Sequence, residues 1–89
     1  MVFYEKSVKK AFGKGEIPKR TITLFHNAFL SLDLTKDLNL FDIKKIKGNH
    51  NREYYRLRKG KYRAIFYMFK DDFYIIYMGI REEVYERWQ

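Results

Sequence analysis

Apolar residues change their spacing once along the chain, near residue 40, dividing a helical half from a stranded half. In the first half, Val8, Ala11 and Phe12 fall on one face of a short helix that starts near Ser7 and ends at Gly13 and Gly15. Ile22, Phe25, Phe29 and Leu32 then recur at helical spacing and give a second helix its buried stripe. Pro18 fits the first turn of that helix, where its missing N–H costs nothing. Val2-Phe3-Tyr4 precedes both helices as a short strand, and Thr35 to Asn39 reads as a connecting loop.

In the second half, Leu40-Phe41-Asp42-Ile43 begins a strand that leads towards Lys47-Gly48. Tyr54 to Arg58 and Lys61 to Phe69 read as two strands about a turn at Lys59-Gly60. Asp71-Asp72 turns the chain again into an apolar, aromatic strand from Phe73 to Ile80, and Arg81 to Trp88 reads as a short terminal helix or coil. The order is strand, two helices, then an antiparallel meander. It predicts an α+β fold, with helices packed on one face of an antiparallel sheet and residues 1–89 as a single domain.

Composition narrows the function classes. With 46% hydrophobic and 19% aromatic residues the chain can fill a dense core, which a domain of this size needs. A net charge of +8 favours an acidic partner: nucleic acid, an acidic protein or a membrane surface. The absence of cysteine excludes disulfides, thiolate metal sites and cysteine nucleophiles. No apolar run approaches the ~20 residues that span a bilayer. Lys6, Lys9 and Lys10 break any signal-peptide core, so the simplest expectation is a cytoplasmic protein. The carboxylates show no metal-ligand spacing, and no cofactor is expected.

The charge is concentrated in Tyr55-Arg56-Leu57-Arg58-Lys59-Gly60-Lys61-Tyr62-Arg63, which holds five cations and no acid. Like charges opposite each other on neighbouring strands are destabilising, so such a hairpin calls for an anion, with phosphate the first candidate. A turn at Lys59-Gly60 puts Arg56, Arg58 and Arg63 on one face with Arg56 directly across from Arg63. Tyr55, Leu57, Tyr62, Ala64 and Phe66 take the other face, apolar enough to carry the helices. A turn at Asp71-Asp72 brings Ile80 opposite Arg63, so Arg81 falls beside it just past the strand end. Arginine suits phosphate because its planar fork keeps its charge when crowded.

The segments Phe41 to Gly48, Tyr55 to Tyr67 and Gly79-Ile80-Arg81-Glu82-Glu83-Val84-Tyr85 together resemble the RelE/ParE toxin superfamily, the RelE-like branch more closely. The match spans about half of the chain, and the N-terminal half agrees in layout. The resemblance implies the toxin of a type II toxin–antitoxin pair, one that cleaves mRNA in the ribosomal A site by attack of a ribose 2′-hydroxyl on the adjacent phosphate. It implies Arg56, Arg63, Arg81 and Tyr85 as the catalytic set. Arg63 would stabilise charge on the scissile phosphate, Arg81 would bind phosphate or assist the leaving group, and Tyr85 would stack on a base or orient the 2′-hydroxyl. Arg56 and Tyr54 stand where such toxins often carry lysines. An arginine hardly deprotonates, so charge stabilisation fits Arg56 better than proton transfer.

Lys45, Lys47, Arg58, Lys59 and Lys61 are the expected contacts to mRNA and ribosomal RNA. The implied protein partner is an acidic antitoxin, for which Val84 and Trp88 offer apolar anchors. Of the two histidines, His26 reads as structural and His50 as a weak candidate near the basic hairpin. Two other readings stay open at this point. One is a ParE-like inhibitor of DNA gyrase that performs no chemistry. The other is a degenerate member that acts only as a binding module.

Overall fold

The computed structural model describes residues 1–47 and 52–80. Strand β1 (Val2–Tyr4) leads into helices α1 (Lys6–Gly13) and α2 (Lys19–Thr35), and a single 3-10 turn covers Leu38–Leu40. Strands β2 (Ile43–Lys45), β3 (Tyr55–Lys59), β4 (Tyr62–Phe69) and β5 (Asp72–Ile80) follow. All five join one sheet in the order β1-β5-β4-β3-β2. Among the described residues no helix is long and apolar enough to cross a membrane.

The helical stripe does what its spacing predicts: Phe25, Phe29 and Leu32 are fully buried, and Ile22 packs against them half-buried. They meet Leu57, Ala64, Phe66, Phe73, Ile75 and Met78 from the sheet, with Val8 of α1 and Ile17 closing one end. Phe29 and Phe66 meet edge to face at 5.3 Å, a favourable aromatic geometry at the centre of the core. Pro18 lies one place earlier than expected, at the N-cap rather than in the first turn. Thr35 belongs to α2, which ends when Lys36 turns left-handed at φ 57. The Asp37 carboxylate then accepts from the Asn39 N–H and caps the 3-10 turn. This cap draws Leu40 out of the expected strand, and β2 shrinks to three residues.

Two features of the sheet depart from the sequence expectation. The sheet is mixed, because β1 runs parallel to β5 with Val2 opposite Phe73 and Tyr4 opposite Ile75. The chain between these strands, which holds both helices and β2 to β4, is far longer than the crossover that parallel pairing needs. Both hairpin turns also sit one residue from where composition puts them. The first is Gly60-Lys61, with Gly60 at φ 60, the first central position at which a type II′ turn requires glycine. The second is Lys70-Asp71, both at positive φ as in a type I′ turn.

Moving the first turn by one residue shifts every cross-strand partner by two, and that leaves the faces intact. Arg56, Arg58 and Arg63 do share a face. Arg63, however, stands opposite Arg58, while Arg56 stands opposite Ile65. In the second hairpin a bulge at Ile65/Phe66 pairs Phe66 with Ile75 and Ile65 with Tyr77. Ile76 is thereby the extra residue, and alternation along β5 is reset. Gly79 rather than Ile80 faces Arg63, and Ile80 pairs with Tyr62 on the core side. The expected terminal helix falls on residues 81–89, outside the described residues.

Candidate nucleic-acid interface

The site is the sheet face opposite the helices, on which Ile65 is fully buried and Tyr67 half-buried. Along β4 the residues Arg63, Ile65 and Tyr67 point to it, alternating with Tyr62, Ala64 and Phe66 of the core side. Two cross-strand pairs of like charge lie on this face, Arg58 with Arg63 and Lys44 with Arg56. Gly79, opposite Arg63 on the third strand, adds no side chain there.

Arg63 is only 6% exposed. Its Nη1 donates to the carbonyls of Gly60 at 3.0 Å and Tyr62 at 3.1 Å, so the turn of its own hairpin fixes the guanidinium. Arg58 is held differently. Its Nε lies 2.6 Å from Asp42 Oδ2, and its backbone N–H donates to the Asp42 carbonyl. The acid that the basic run lacks therefore arrives from the residue before β2, and it answers the arginine that faces Arg63. Arg56 is half-buried between Lys44 and Ile65.

Several residues expected to contact RNA have internal partners. Lys45 pairs with Glu53 at 2.8 Å, and Glu53 also accepts from the Tyr55 hydroxyl at 3.0 Å. The hydrogen bond between them raises the Lys45 ammonium above its ordinary pKa and lowers the Glu53 carboxyl. Lys59 reaches over the Phe41 ring at 4.8 Å, Lys61 lies 5.6 Å from the Tyr62 ring, and Lys47 is exposed. His26 sits on the core side, where its Nδ1 is 2.8 Å from the Tyr4 hydroxyl. Burial pushes that phenol up to about 12. Arg81, Val84, Tyr85, Trp88 and His50 lie outside the described residues. Among the described residues no group of three or more histidines and carboxylates is placed to hold a metal ion.

No protein-family model matches the chain, and no curated protein matches it in sequence. Two solved structures match it closely in shape. One is the RelB–RelE antitoxin–toxin complex of Methanococcus jannaschii, with a TM-score of 0.76 at 27% identity over 98% of this chain and 99% of that one. The other is the archaeal RelE–RelB complex of Pyrococcus horikoshii OT3, with a TM-score of 0.63 at 26% identity over 90% and 92%. The chain has a RelE-like toxin fold.

Within this RelE-like fold the face opposite the helices carries more than cations. Phe3, Tyr74 and Tyr67 stand directly across from one another on β1, β5 and β4. Their rings stack at 5.1 and 5.0 Å. Tyr54 meets the edge of Tyr67 at 6.0 Å. Sequence reasoning missed this row, because it needs both the actual register of the β4–β5 hairpin and the insertion of β1 beside β5. It also missed Asp42, whose partner is sixteen places away in sequence and adjacent only through the β2–β3 pairing.

Proposed function

We propose that this protein is the toxin of a type II toxin–antitoxin pair, acting as a ribosome-dependent mRNA endoribonuclease. The observation that carries the reading is Arg63: a guanidinium buried at the end of β4 and fixed by two backbone carbonyls, with Arg56 and Arg58 beside it on the face opposite the helices. The likeness to RelE in two antitoxin–toxin complexes supports the class.

The proposed reaction is attack of a ribose 2′-hydroxyl on the adjacent phosphate, giving a 2′,3′-cyclic phosphate and a free 5′-hydroxyl. Negative charge grows on the non-bridging oxygens as the phosphorane forms. A donor already fixed in place stabilises that charge without reorganising, which is the advantage of anchoring Arg63 through its own turn. Arg56 would bind the same phosphate, and Arg81 would serve it or the leaving oxygen. Tyr85 would stack on the neighbouring base or orient the 2′-hydroxyl. Arg58, with its charge answered by Asp42, fits a contact to the RNA backbone, as do the lysines at 45, 47, 59 and 61. An acidic antitoxin would neutralise this face, with Val84 and Trp88 as apolar anchors, and the place of action would be the cytoplasm.

The test is cleavage of mRNA in programmed ribosomes. Replacing one fixed donor to a developing oxyanion costs roughly 10²- to 10³-fold in rate, so Arg63→Ala should fall by that factor. A wild-type protein that cuts nothing while overexpression arrests DNA replication would return the reading to gyrase inhibition. Harmless overexpression would leave a binding module.

A further inference from the structure

Arg52 lies on the Tyr67 ring, its Cζ 4.1 Å from the ring centre. This is within the range of a cation–π contact and close enough for the guanidinium to stack. Tyr67 is itself immobilised by Tyr74 at 5.0 Å, behind which Phe3 stacks at 5.1 Å, while Tyr54 closes its edge. Arg52 is therefore the end member of a row of planar groups that runs across β1, β5 and β4. It differs from Arg58 and Lys45 in one respect. Arg58 is neutralised by Asp42 and Lys45 by Glu53, whereas among the described residues no carboxylate pairs with Arg52, and its side chain is exposed.

Stacking occupies the flat face of a guanidinium and leaves its five N–H donors, all in the plane, directed outward. The ring also holds the side chain in one conformation before any ligand arrives, which reduces the ordering cost of binding. Tyr67 shares its face with Ile65 and Arg63, two and four residues back along β4. Four residues of strand cover about 13 Å, a distance that a few nucleotides of single-stranded RNA span.

We propose that Arg52, held flat on Tyr67, is a further phosphate-binding site, which takes an RNA backbone phosphate a few nucleotides from the one at Arg63. The inference rests on the RNA-cleaving reading and adds a second point of attachment to it. The two points together would fix the spacing of the strand between the aromatic row and the arginine end.

The test is salt-dependent binding of a short fluorescein-labelled single-stranded RNA of mixed sequence to the full chain. Each phosphate contact contributes about 0.7 to the slope of log affinity against log salt for a single strand. Arg52→Ala should reduce the slope by that amount and weaken binding about fourfold at ~0.15 M salt. Tyr67→Leu should weaken binding to a similar degree, whereas Tyr67→Phe should behave as wild type. Arg52→Lys should keep the slope yet bind less tightly than wild type, since an ammonium cannot stack. An unchanged slope in Arg52→Ala overturns the proposal, and it does so equally if thermal stability has fallen, because Arg52 would then only prop the ring. Ribosomal cleavage is read separately: Arg52→Ala should raise KM and spare kcat. Failure of the wild type to cleave would remove the nuclease reading, while the change in salt slope would still establish the phosphate site.

Discussion

Tyr62, Ala64 and Phe66 lie on one side of β4 and Arg63, Ile65 and Tyr67 on the other, yet all six come from a single run of sequence. The first three pack among residues that the helices cover, and their requirement is volume and apolarity. On the other side the residues carry charge and flat aromatic surface, in an arrangement that adds strain unless something answers it. Asp42 answers part of that strain from within the chain by pairing with Arg58. An anionic ligand would answer the rest. The core side is thus self-sufficient, whereas an anionic partner would complete the charged side.

The largest expected effect that separates the sides is Phe29→Ala. This ring is fully buried and meets Phe66 edge to face. Its truncation should cost about 3–5 kcal/mol in denaturant unfolding, a large share of the ~5–15 kcal/mol typical of a domain. A cost under about 1 kcal/mol would mean that the core is not where stability resides.

Asp42→Asn sharpens the comparison from the charged side. The pair is partly exposed, so its loss should cost no more than about 1 kcal/mol. Two arginines would then face each other with that carboxylate gone, so the loss should be largest at low ionic strength and shrink as salt screens them. Equal thermal shifts at low and high salt would show that the Arg58–Arg63 opposition carries little energy.

The smallest effect near neutrality concerns Tyr4. Burial raises its phenol to about 12, so the folded chain retains a proton that the unfolded chain loses near pH 10. Stability should therefore be unaffected below about pH 10 and fall as the pH rises from there towards 12. Tyr4→Phe should flatten the alkaline limb of a stability–pH curve relative to wild type. Parallel curves would show that the hydroxyl is more solvated than its contact with His26 suggests.

Which parts of this were legible in sequence follows from the range of the interactions. The α2 stripe and the division of the Arg56–Arg63 hairpin into two faces depend on local periodicity, and both were readable. The faces survived a misplaced turn because a shift of one in a two-residue loop moves partners by two. The partner of Arg63, the bulge at Ile76 and the parallel insertion of β1 depend on turn geometry and on pairing across the whole chain, which alternation does not encode. The same holds for Asp42 and for Arg52 on Tyr67, where each side chain looks ordinary until the sheet brings its partner close. The roles of Arg81 and Tyr85 came from family resemblance and stand as proposals.

The most direct test of the central claim is mRNA cleavage in programmed ribosomes by Arg63→Ala, at a temperature where circular dichroism shows it folded, beside wild type and the conservative core variant Phe29→Leu. Cleavage should fall roughly 10²- to 10³-fold in Arg63→Ala and stay at the wild-type level in folded Phe29→Leu. Cleavage by folded Arg63→Ala at the wild-type rate would contradict it.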